Sequence, residues 1–164
     1  MKPHLSFVLI LFLILLHAGN LPADSIIFSG CDFICSSDDF PGYSYTADIL
    51  KSSTGSTCTH FFAPVHLPHG AKVTSMVIFF YDNSVTGDIE IYLVRENPYT
   101  RVMQCMVGAV TNEYQDSDEH GKVYPVTYWK IDNSGYAYYL WVYFTEGSDN
   151  LEIHKIKINY IPPS

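Results

Sequence analysis

Residues 72–81 read KVTSMVIFFY, residues 82–87 read DNSVTG and residues 88–95 read DIEIYLVR. In the first segment Val73, Ser75, Val77 and Phe79 alternate with Met76, Ile78 and Phe80. Side chains of a strand point to opposite faces with period two, so this is a strand, apolar on both faces toward its end and therefore central in a sheet. Asp82 to Gly87 supplies turn chemistry, and the return segment places Ile89, Ile91 and Leu93 in one phase. The pattern predicts an antiparallel β protein.

The same pattern extends in both directions. Short strands are expected over 44–50 and 60–63, with an edge segment and turn over 65–70, where Pro68 cannot donate to a ladder and Gly70 tolerates positive φ. Further on, 101–111 is a strand with Met103, Cys105, Val107 and Ala109 in phase, and 112–122 is a polar loop. A hairpin is expected between 123–131 and 136–145 across Asp132-Asn133-Ser134-Gly135. In the last strand Leu151 and Ile153 fall in one phase and Ile156, Ile158 and Tyr160 in the other, so both sets are buried only if a β-bulge sits at His154 and Lys155. About eight strands result. They predict a single antiparallel β-sandwich of jelly-roll or Greek-key type.

Residues 5–16 (LSFVLILFLILL) form an apolar run behind Lys2. A bilayer span needs about 20 such residues and a signal-peptide core about 7–15, so the run reads as a leader. The expected organisation is a signal peptide over 1–23, an irregular Cys-containing segment over 24–43 and the β-sandwich over 44–164. Two rival readings tie the chain to a membrane: an uncleaved anchor, and a loose lipobox at Phe28-Ser29-Gly30-Cys31 in which Cys31 carries a lipid. The expected location is secreted, extracellular or periplasmic.

The chain of 164 residues has a formal charge of −8; loss of Lys2 with the leader leaves 17 acids against 8 bases, or −9. Such a domain repels phosphate backbones and anionic membranes, so neither nucleic acid nor membrane is an expected partner of the mature form. Four cysteines, Cys31, Cys35, Cys58 and Cys105, suit disulfides in an exported chain, with three possible connectivities. Cys31 with Cys35 closes a small loop, and Cys58 with Cys105 then joins distant parts of the sheet, worth about 3–4 kcal/mol in the chain-entropy model.

Tyr81-Asp82-Asn83-Ser84 recurs as Ile131-Asp132-Asn133-Ser134. Two similar hairpin turns account for the repeat, and a calcium site on Asp82 or Asp132 is the sharper reading. These turns, with 63–74 (APVHLPHGAKVT) and Tyr138-Tyr139-Leu140, resemble a group of uncharacterised secreted bacterial proteins with the pattern "APV-LP-GA-VT", "YDN", "VDNS-YAYYL". The resemblance spans roughly 58–161 and implies a common fold and strand order. It implies no activity.

No nucleophile elbow occurs, His66 and His69 lie in an extended Pro-containing segment, and nothing pairs two of Glu90, Glu96, Glu113 and Glu119 as a glycosidase dyad. The chain is expected to be non-enzymatic and without a cofactor. In 136–144 (YAYYLWVYF), Tyr136, Tyr138, Leu140, Val142 and Phe144 share one face, and Tyr139, Trp141 and Tyr143 the other. One face is core. The second is either covered as well, or an aromatic platform for a subunit or a sugar ring. The sequence thus favours a structural or interaction module of the cell exterior, possible in self-associated form or against a cell-surface component. The alternative is a carbohydrate-binding module using Tyr139, Trp141 and Tyr143 on a glycan.

Overall fold

A computed structural model describes residues 23–36, 43–46, 48–54, 56, 58–112, 119–127 and 130–163. All but the last residue of the expected leader lies outside them. The strands are β1 (Asp24–Phe28), β2 (Ile34–Cys35), β3 (Tyr43–Thr46), β4 (Ile49–Ser52), β5 (His60–Pro64), β6 (Lys72–Asp82), β7 (Ile89–Glu96), β8 (Met103–Val110), β9 (Glu119–Pro125), β10 (Ala137–Phe144) and β11 (Leu151–Ile161), with a 3₁₀ turn at Gly30–Asp32.

They form two antiparallel sheets. One runs β3-β4-β11-β6-β9, with β1 added to the edge of β11, and the other runs β2-β5-β10-β7-β8. From β4 onward the partners nest as β4 with β11, β5 with β10, β6 with β9 and β7 with β8. This is the wrapping of an eight-stranded jelly roll. The predicted β-sandwich is therefore the fold, and β1 to β3 are additions to it.

Alternation fixes which face each strand buries. Met76, Ile78 and Phe80 of β6, Ile89, Ile91 and Leu93 of β7, and Leu140, Val142 and Phe144 of β10 are all buried between the sheets. Each such side chain contributes roughly 1.5–3 kcal/mol of apolar burial. The expected bulge in β11 is present: the register with β6 shifts between Ile153 and Lys155, so that Leu151, Ile153, Ile156 and Ile158 all reach the core. Gly70 takes φ +84°, as its turn requires.

Three strand expectations are corrected. The segment 24–43 is not wholly irregular: β1 pairs along 156–160 of β11, and β2 pairs with β5. Residues 44–50 are not one strand; β3 and β4 pair as a hairpin, with Asp48 at φ 71° between them. In β8 the single phase breaks, because the register with β7 shifts between Leu93 and Val94. Met106 is the extra residue there and turns inward beside Val107, leaving Cys105 and Met103 exposed.

Neither DNS turn is a hairpin. Asp82 to Asp88 carries the chain from β6 in one sheet to β7 in the other, and 131–136 carries it from the β9 side to β10. Both are arches between sheets, at opposite ends of the sandwich. In each, the Asp carboxylate accepts the backbone N–H of the Ser two residues on, at 3.1 Å. The local turn chemistry is common to both, and the jelly-roll path decides what it connects.

Candidate functional site

The outer face of the sheet containing β10 carries an aromatic cluster built from three strands. Register places Ile34, Phe62, Trp141, Tyr92 and Gly108 directly opposite one another across β2, β5, β10, β7 and β8. The file runs perpendicular to the strands, whose spacing is about 4.8 Å. Ring centroids of Phe62 and Trp141 are 6.0 Å apart at 16°, and those of Trp141 and Tyr92 are 5.7 Å apart at 43°. Gly108 makes room at the far end, since a Cβ there would lie 2.9 Å from the Tyr92 ring.

One row along, His60, Tyr143 and Glu90 face one another. His60 stacks on Tyr143 at 4.4 Å and 11°, and its Nδ1 accepts the Trp141 indole N–H at 3.2 Å. On the other side of the file, Tyr139 stands between Pro64 and Val94, with its ring edge-on to Phe62. Beyond it Glu96 pairs with Met103.

Polar groups border the rings. Tyr92 donates its hydroxyl to Glu90 at 2.8 Å, and Tyr139 donates to the Met103 sulfur at 2.6 Å. Burial, the hydrogen bond to Glu90 and that carboxylate's charge push the Tyr92 phenol up to about 12. Burial, followed by the Glu96 charge, raises Tyr139 as well. Both phenols are therefore neutral at physiological pH. The surface combines half-buried rings with carboxylate and hydroxyl acceptors, while Ile34 at 67% and Met103 at 55% exposure mark its apolar rim. A shallow depression of about 560 Å³ lies against it, lined by Ile34, Phe62, Pro64, Glu96 and Tyr139 among others.

No protein-family model matches the chain, and no curated protein matches it in sequence. Among the solved structures that resemble it are two of similar size. A xylan-binding module of family CBM15 aligns with TM-score 0.51 and 9% identity over 87% of this chain and 100% of its own. The CBM22-1 xylan-binding domain of Paenibacillus barcinonensis Xyn10C aligns with TM-score 0.51 and 10% identity over 89% and 100%. The chain shares its fold with β-sandwich carbohydrate-binding modules. At these identities the likeness concerns the fold alone.

Of the residues singled out from sequence, Tyr139, Trp141 and Tyr143 lie together on the outer face, each half-buried. One face of Tyr143 is covered by His60. Phe62, His60 and Tyr92 join them from neighbouring strands and were not singled out, because strand register is needed to bring them together. The expected Cys58–Cys105 and Cys31–Cys35 pairs are replaced by a Cys35–Cys58 disulfide with Cα atoms 6.1 Å apart; Cys31 and Cys105 are exposed thiols. The cause is strand order. β2 lies beside β5, just after Cys58, whereas β8 with Cys105 is three strand spacings away, about 14 Å.

Asp82 and Asp132 occupy turns. Asp82 is fully buried, taking the hydroxyl of Thr111 and the N–H of Ser84. Asp132 takes the N–H and hydroxyl of Ser134, which hold its carboxyl below the usual range, and lies 3.7 Å from His69. Among the described residues no group of three or more His, Cys, Asp or Glu side chains is placed to hold a metal ion.

Proposed function

We propose that this protein is an exported, non-catalytic carbohydrate-binding module, with Trp141, Phe62 and Tyr92 as its stacking surface. The observation that carries the reading is the file of three aromatic rings crossing β5, β10 and β7 on a sheet face, bordered by Glu90 and Glu96. Sugar rings present C–H groups on their flat faces and hydroxyls at their edges. An aromatic face takes the first, and carboxylates accept hydrogen bonds from the second. A linear glycan laid across the strands meets both. Neutral phenols and net negative charge suit uncharged sugar rings better than a phosphate chain. The Cys35–Cys58 disulfide supports a location outside the reducing cytosol.

Affinity electrophoresis of the oxidised domain through gels containing soluble polysaccharides tests this. Xylan comes first because two proteins of this fold are described as binding it. Retardation should be lost in Trp141→Ala and Phe62→Ala and kept in Phe79→Ala, a half-buried aromatic in β6 of the opposite sheet. A folded wild type retarded by no polymer would reject the reading. A dimer that hides Trp141 in light scattering would reassign the face to self-association.

A further inference from the structure

The outward positions of β10 are Tyr143, Trp141, Tyr139 and Ala137, so the aromatic relief of this face ends at a single methyl group. Ala137 is exposed, and register sets Glu96 of β7 directly beside it. On its other side the pairing of β5 with β10 continues past the strand end, where the Val65 N–H donates to the Tyr138 carbonyl at 2.9 Å. His66, also exposed, therefore stands on the opposite flank of Ala137. The two flanking residues are two strand spacings apart, about 10 Å, with only the methyl group between them.

Two depressions meet at that floor. One, of about 560 Å³, runs from Ile34 and Phe62 past Pro64 to Ala137 and Glu96. The other, of about 400 Å³, shares Pro64 and Ala137 and continues to His66, Asn133 and Tyr136. Together they form a groove that follows β5 and β10, because Phe62, Pro64 and His66 are alternate residues of one extended segment, as Tyr139 and Ala137 are of the other. Four residues of extended chain from Phe62 to His66 give it a length of about 13 Å. Pro64 and Tyr139 supply apolar walls. Hydrogen-bonding groups come from His66, from Asn133, which is anchored through Nδ2 to the Leu67 carbonyl at 2.9 Å, and from Glu96, which Arg101 steadies at 3.4 Å.

Direction decides what can fill this groove. The file of Phe62, Trp141 and Tyr92 crosses the strands, whereas the groove leaves it at Phe62 and follows them, close to a right angle. A main chain of sugar rings stacked along the file passes the mouth of the groove and would have to bend sharply to enter. A substituent projecting from that main chain enters without bending. The geometry points to a decorated polysaccharide as the ligand, its main chain on the rings and a short sugar branch in the groove over Ala137. This assignment rests on the carbohydrate-binding reading.

The probes are arabinoxylan and galactomannan, each compared with the same polymer after enzymatic trimming of its side sugars to the lowest level that stays soluble. The wild type should bind the decorated form of at least one polymer about fivefold more tightly, the worth of roughly one net hydrogen bond. A137F fills the floor of the groove and should remove that gap while leaving affinity for the trimmed polymer unchanged. Ala137 is exposed, so the larger side chain displaces no core residue; A137L serves if A137F melts early. Equal or tighter binding of the trimmed forms by the wild type would overturn the branch and leave the aromatic reading standing. An equal loss for decorated and trimmed polymer in A137F would put the main chain itself in the groove, which also overturns it. Binding of neither form of either polymer would overturn both readings.

Discussion

The indole N–H of Trp141 donates to Nδ1 of His60 at 3.2 Å, while the His60 ring lies against Tyr143 at 4.4 Å. An indole nitrogen only donates, so His60 must present an unprotonated Nδ1 and carry its proton on Nε2. His60 thereby couples two rings of β10 and sets the orientation of the central one. His60→Ala should cost about 1 kcal/mol of stability and lower polysaccharide affinity several-fold, with a shift in Trp141 emission. His60→Gln, which restores an acceptor, should recover most of the emission and affinity. Fluorescence and affinity electrophoresis on the two variants check this; equal affinity in His60→Ala and wild type would remove His60 from the site.

Gly108 is where the far end of the aromatic file can be moved without touching an aromatic residue. A methyl group there would sit 2.9 Å from two carbons of the Tyr92 ring, so the ring has to shift. Glycine in a strand costs about 0.5–1 kcal/mol relative to alanine, which offsets the clash. Gly108→Ala should therefore leave urea stability within about 1 kcal/mol of wild type and reduce polysaccharide affinity about tenfold. Affinity unchanged in a folded Gly108→Ala protein would mean that Tyr92 is not part of the binding surface.

What could be read from sequence follows the range of the interactions involved. Period-two alternation in 72–81 and 88–95 is local; it named the inward face of β7 and left β6 with two apolar faces, of which the one carrying Met76, Ile78 and Phe80 is buried. The phase slip in 151–161 was legible because two apolar sets in opposite phase cannot both be buried without a bulge. The break in β8 was not, since Met106 only declares itself against the register of β7. The arches at Asp82 and Asp132 carry the same turn residues that a hairpin would. The outer residues of β10 were visible as an aromatic row, but Phe62 and Tyr92 belong to strands 79 and 49 positions away in the chain. Cys35 and Cys58 likewise meet only because β2 lies beside β5.

The Cys35–Cys58 bond closes a loop of sequence separation 23, worth about 3 kcal/mol in the chain-entropy model. Non-reducing peptide mapping should recover this pair, with Cys31 and Cys105 alkylated before any reductant is added. Burial pushes the Cys105 thiol up, so its labelling should accelerate toward alkaline pH. Cys58→Ser should lower the melting temperature of the oxidised protein and leave it insensitive to dithiothreitol. Recovery of a Cys58–Cys105 peptide would contradict the strand order that assembles the aromatic face.

Tyr92 gives the site a signature at high pH. Its phenol is raised from 10.0 to about 12, first by burial and then by the bond to Glu90 and the charge of that carboxylate. The unfolded chain releases this proton near 10 and the folded chain only near 12, so ionisation increasingly favours the unfolded state between them. The contribution of Tyr92 is complete below pH 10, is lost as pH rises toward 12, and changes no further above that. Tyr92→Phe should therefore make the decline of urea midpoints over this interval less steep. Part of the decline should persist, because burial also raises Tyr138 and Tyr139. Glu90→Gln should move one late-ionising phenol toward the ordinary range in an ultraviolet titration while leaving the burial contribution in place. A Glu90→Gln titration superimposable on wild type would show that Glu90 does not accept from Tyr92, and the carboxylate would then lose its place at the edge of the aromatic file.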